Sequence, residues 1–204
     1  MSKHTKLDYY ECCAKIVLSE LVSKDYENLY LRDKPDLQFP DGSRGIEVTQ
    51  AYNPDHKMAE SLWINIQRGS VRNKEGALKE IEKSGSNYNG FLLSSGPDSF
   101  TLILQAFKKK LETINKGHYA PFHHYDLFVF SEIYADNLMC QDALQAMIDL
   151  SLNYKLSFEK VWVSVPGFLY IFDLSKKQNQ TIKIDEEVDS DMHYRAEKMV
   201  KAAM

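Results

Sequence analysis

The chain has 204 residues, with 25 lysines and arginines against 29 acidic residues, a formal net charge of −4 and a hydrophobic share of 44%. That length suits one well-buried domain over residues 1–204, and the charge excludes a protein held on nucleic acid by bulk positive field, so any such contact needs a local basic patch. No run approaches the ~20 apolar residues of a membrane span, the polar start Met1–Asp8 leads into no secretory segment, and three cysteines, two of them adjacent, form no disulfide framework; the expectation is a cytoplasmic protein with no membrane partner, its cysteines packed in the core.

Leu7, Tyr10, Ala14, Val17, Leu18 and Leu21 fall at helical spacing and predict an amphipathic helix over residues 6–23. A strand is expected at Glu27–Leu31. Pro35–Phe39, the turn-forming Pro40-Asp41-Gly42-Ser43 and Gly45–Thr49 then read as a β-hairpin. Residues 55–83 carry weaker helical patterning, interrupted at Gly69 and Gly76. Gly90–Ser95 is read as a short strand or an extended loop. Pro97-Asp98-Ser99 opens a helix over 99–116, with Leu102, Leu104, Phe107, Leu111 and Ile114 on one stripe. Asp126–Tyr134 reads as a buried strand, Asn137–Tyr154 as a helix, and Val161–Val165 with Phe168–Phe172 as a hairpin around Pro166-Gly167. An edge strand at Thr181–Ile184 and a helix at Asp191–Ala203 follow. This order predicts an α/β fold, a mixed sheet with helices packed on it. The linker-like stretch Lys83–Asn89 is too short to divide the chain.

The first hairpin carries the chemistry. Strand alternation puts Ile46 and Val48 on one face and Glu47 and Thr49 on the other, with Asp36 and Gln38 on the polar face of the preceding strand. A turn centred on Asp41 and Gly42 brings Asp36 nearly opposite Glu47, where facing Cβ atoms lie ~4.5–5.5 Å apart. Like charges so placed repel, and solvent exposure, a shared proton or a divalent cation must offset that. Hard oxygen ligands suit Mg²⁺ or Mn²⁺, while an ordinary solvated polar sheet face gives the same pattern.

Pro35-Asp36, ten residues, then Glu47-Val48-Thr49 resembles the motif of the PD-(D/E)xK, or restriction-endonuclease-like, nuclease superfamily. The segment PDLQFPDGSRGIEVTQA is similar to that of small bacterial or phage members with a PDL…GIEVT pattern, and the likeness in element order runs over roughly residues 8–165. The resemblance implies an αβββαβ core, here followed by a C-terminal β-hairpin and helix, and a Mg²⁺-dependent nuclease acting on DNA more readily than RNA. It implies that Asp36 and Glu47 hold the metal, with the Val48 carbonyl as a further ligand. Where the superfamily usually has lysine, this chain has Thr49, which hydrogen-bonds but carries no charge. The superfamily sometimes supplies the lysine from a following helix. Lys110, three residues after Phe107 and beside the apolar stripe, can snorkel toward Glu47, although three consecutive lysines also read as a solvated run. Lys57 is a second choice. Nucleases resembling Holliday-junction resolvases carry a glutamate on the first helix, and Glu11, followed by Ala14, Val17 and Leu18, matches that pattern, with Glu20 as rival and a surface glutamate as the plain reading.

Other signals carry less. His118, His123 and His124 precede the strand at Asp126 without zinc-site spacing, Trp63 and Trp162 suit packing, and Lys57, Arg68, Arg72 and Lys74 could form a substrate-facing patch or simply an exposed helix face. Two alternatives to the enzyme stand open: a nuclease-fold binding module that has lost its chemistry, and an interaction protein that forms a homodimer through the aromatic hairpin Val161–Phe172.

Overall fold

A computed structural model describes residues 7–88, 92–93, 99–117, 119 and 121–203. Helix α1 (Tyr9–Leu21) is capped by Asp8, whose carboxylate accepts from the N–H groups of Tyr10 and Glu11. The expected strand at Glu27–Leu31 shrinks to β1 (Tyr30–Leu31), because Ser23 caps a 3-10 turn over Lys24–Asn28 that buries Tyr26. Next come β2 (Leu37–Gln38) and β3 (Arg44–Gln50). Strand β2 is shorter than the hairpin reading gives it, since Pro35 and Pro40 flank it without a ladder donor. Gln38 is buried rather than facing solvent, and its amide donates to the Pro35 carbonyl at 2.9 Å.

The weakly patterned stretch becomes two helices, α2 (Pro54–Gln67) and α3 (Lys74–Lys83). Gly69 separates them at φ 68°, but Gly76 does not break a helix: its N–H donates to the Asn73 cap at 2.9 Å inside the first turn of α3. Asn87–Tyr88 (β4) and Leu92–Leu93 (β5) form a small antiparallel pair. The rest of the expected segment 90–95, Pro97, Asp98 and His118 lie outside the described residues. Then follow α4 (Thr101–Ile114), β6 (His124–Phe130), α5 (Asn137–Ser151), β7 (Phe158–Val165), β8 (Phe168–Asp173), β9 (Gln178–Lys183) and α6 (Glu186–Ala202). Strand β6 starts two residues early and ends at Phe130 rather than Tyr134. Helix α6 starts five residues early, because Asp185 caps it.

Seven strands form one mixed sheet in the order β1-β2-β3-β6-β7-β8-β9, parallel where β3, β6 and β7 meet and antiparallel at both flanks. With six α-helices among the described residues, the fold is mixed α/β. Ile46, Phe128 and Trp162 point to the face covered by α1 and α6, whereas Leu127, Val129 and Val161 point to the face covered by α4 and α5. Glu47 pairs with Leu127 and Thr49 with Val129, so both side chains belong to the α4 face. The hairpin expected as a dimer surface is interior: β7 and β8 are each flanked on both sides, and Val161, Trp162, Val163 and Phe172 are fully buried. No helix among the described residues is long and apolar enough to cross a membrane.

Candidate functional site

Because β2 pairs with β3 only at Leu37–Ile46 and Gln38–Gly45, β3 has an open edge from Glu47 onward. Asp36 occupies it. Extending the register by one residue places Asp36 across from Glu47, and its Oδ2 accepts the Val48 N–H at 2.7 Å. At Val48 the carboxylate thus does for β3 what a longer neighbouring strand would do, so that N–H is not left an orphan donor. Gly45 lets the hairpin close this tightly: a Cβ there would lie 2.3 Å from Pro35 Cγ and 3.1 Å from Phe122 Cγ.

Glu47 is 2% exposed. Phe107, Leu111 and Ile114 seat α4 on the same face of the sheet, and that helix carries Lys110 to the carboxylates. Its Nζ lies 2.6 Å from Glu47 Oε2 and 3.6 Å from Asp36 Oδ2. Tyr119, after α4, brings its hydroxyl toward Glu47, yet no hydrogen bond of sound geometry reaches Glu47 Oε1, which is buried without a partner among the described residues.

Burial dominates the electrostatics. It raises the Glu47 pKa, the Asp36 charge adds to the rise, and Lys110 pulls it back. Burial also raises Asp36, opposed by the Lys110 ammonium and the Val48 N–H. Glu11 faces the same cleft from α1, and burial followed by the Asp36 charge pushes it up to about 7. The cleft measures about 370 Å³; α1 lines it with Asp8, Tyr10 and Glu11, β3 with Val48, Thr49 and Gln50, and Asp36 and Lys110 complete it.

Asp36, Glu47, Val48, Thr49, Lys110 and Glu11 therefore gather at one place. Lys57 reaches only the rim, donating to Gln50 Oε1 at 2.5 Å. Arg68, Arg72 and Lys74 are not among the cleft-lining residues. Glu20 turns outward to Arg195 at 2.8 Å and Lys24 at 3.2 Å. His124 lies at the other end of the sheet, 2.7 Å from Glu159, which Arg44 joins to the fully buried Asp126. The cysteines and Trp162 are core residues. Among the described residues no three His, Cys, Asp or Glu side chains converge as a ligand set, so the centre rests on a carboxylate pair. Sequence reasoning missed Asp8, Tyr10, Gln50 and Tyr119; Asp8 was legible as a helix cap, but Tyr119 lies in a loop with no periodic signal. Comparison with family models, curated proteins and solved structures returns no match.

Proposed function

We propose that the protein is a divalent-cation-dependent phosphodiesterase of the restriction-endonuclease-like class, cutting DNA more readily than RNA. One observation carries this reading: Lys110 meets the Asp36–Glu47 pair from α4, supplying the ammonium that Thr49 does not. The order α1, β1, β2, β3, α4, β6 supports it, with α2, α3 and the β4–β5 pair inserted after β3.

The residues fit Mg²⁺ or Mn²⁺. Both carboxylates are hard oxygen donors at one open strand edge, and among the described residues Glu47 Oε1 is a buried acceptor that no well-placed donor satisfies. Asp36, Glu47 and the Val48 carbonyl would hold the ion, which when bound polarises a phosphoryl oxygen and lowers the pKa of attacking water. Lys110 would serve as counter-charge to the pair and, with substrate present, as a donor to phosphate oxygens that gain charge in the transition state. Glu11, its pKa pushed up to about 7 by burial and the Asp36 charge, would exchange a proton at the cleft wall. Thr49 would orient water or phosphate by hydrogen bonding.

The test is nicking of plasmid DNA and of RNA with Mg²⁺ or Mn²⁺, beside Mn²⁺ calorimetry. Glu47→Gln should lose both cleavage and Mn²⁺ binding while staying folded. A pure protein that cuts neither substrate ends the enzyme reading. The second reading, a binding module on an inactive nuclease fold, draws on Thr49 and on the ammonium already seated against Glu47; it predicts no Mn²⁺ heat at this hairpin.

A further inference from the structure

Strand β9 ends the sheet, and among the described residues nothing pairs with its outer edge. Natural sheets blunt such edges with charge, proline, bulges or brevity. Here β9 carries no proline and a single charge, Lys183 at its end, and its pairing to β8 runs without irregularity.

The ladder fixes which backbone groups are free. Ile184 N–H donates to the Gly167 carbonyl at 2.8 Å, in line with the β8–β9 register. Antiparallel pairs alternate between bonded and non-bonded, so Gln178, Gln180 and Ile182 bond inward to β8. Asn179, Thr181 and Lys183 then present both N–H and C=O outward. The next ladder agrees: Leu174 N–H donates to Glu159 at 2.9 Å, which leaves Leu169, Ile171 and Asp173 as the β8 residues that face β9.

We infer that this edge is the interface of a two-fold homodimer, β9 pairing antiparallel with β9 of a second copy. One register uses all three outward residues. Thr181 stands opposite the partner's Thr181, and Asn179 opposite the partner's Lys183, giving six backbone hydrogen bonds by symmetry. Past the strand ends, the same register brings the Lys176-Lys177 turn of one copy to the side of the partner's Asp185 and the partner's Glu186, where α6 begins. The exposed Lys176-Lys177 turn thus meets the exposed acidic start of α6 at both ends of the joined strands. A two-fold axis through one strand rarely matches charges unless the strand is flanked by opposite signs, as β9 is. The central Thr–Thr pair is also favourable across antiparallel strands. The dimer is independent of the nuclease reading.

Sedimentation of the full chain tests it. Wild type should run at twice the monomer mass. Thr181→Pro removes an outward N–H while sparing the bonds to β8, so it should run as a folded monomer, its fold checked by circular dichroism. The variants Lys176→Glu/Lys177→Glu and Glu186→Lys/Glu187→Lys should each weaken self-association at least tenfold, and an equimolar mixture should regain dimer. A monomeric wild type, a Thr181→Pro dimer as tight as wild type, or a mixture no tighter than its components overturns the inference.

Discussion

Replacing Lys110 with methionine keeps most of the apolar stem against the sheet and removes the ammonium. Glu47, 2% exposed, then loses the cation 2.6 Å away, and Asp36 loses the one at 3.6 Å. Breaking a buried pair from one side costs about 3–5 kcal/mol. The Lys110 side chain is 24% exposed, so solvent recovers part of that and roughly 2–3 kcal/mol remains. For a chain of this size, that is a fall in Tm of about 4–12 °C. Thermal unfolding in chelator measures it. Repeating the melt with Mn²⁺ separates metal site from simple ion pair, because in wild type the ammonium competes with the ion for the same carboxylates. The Mn²⁺-induced rise in Tm should therefore be larger in Lys110→Met than in wild type, while nicking falls by about 10²–10³-fold. A variant as stable as wild type in chelator, or one that gains no more from Mn²⁺, refutes this account of the site.

Gly45→Ala should cost about 1–3 kcal/mol in urea unfolding, because its Cβ would collide with the Pro35 ring; an unchanged midpoint would mean that the hairpin yields easily. Asp126 is pushed up to about 6 by burial, with Arg44 pulling the other way. Its folded pKa thus exceeds the ordinary 3.8 of the unfolded chain, so the folded state holds the extra proton between the two values. Stability from this group is full below about pH 4 and lost as pH rises through about 6. Asp126→Asn should flatten the Tm profile across that window, and a profile parallel to wild type would count against it.

The hairpin and its carboxylates were legible because two short-range rules agree: strand alternation orders the side chains, and a turn at Asp41–Gly42 sets the register that the Leu37–Ile46 pairing confirms. Lys110 could be named from the stripe of Phe107, Leu111 and Ile114, which fixes how α4 meets the sheet. What local pattern misses is what depends on neighbours. Glu27–Leu31 reads as strand, yet Tyr26 just before it packs edge-on against Trp162, 136 positions away, and a capped turn takes up Glu27 and Asn28 instead. Gln38 alternates as a polar-face residue but is needed to satisfy the Pro35 carbonyl. The aromatic hairpin at Val161–Phe172 reads as an exposed pair until β6 and β9 close on either side of it.

The two carboxylates of the cleft are not equivalent, and this bears on how such a chain can drift. Asp36 completes the backbone of β3 through Val48, so only a side chain that still accepts a hydrogen bond can replace it without leaving a buried donor bare, at about 1–3 kcal/mol. Glu47 and Lys110 form the closer ion pair, at 2.6 Å, and can be exchanged together for an apolar pair at a cost set mainly by the Lys110–Asp36 contact at 3.6 Å that goes with them. On the nuclease proposal, a descendant relieved of that chemistry would shed the glutamate and lysine as a couple and keep the aspartate, whose hydrogen bond to Val48 serves the fold alone.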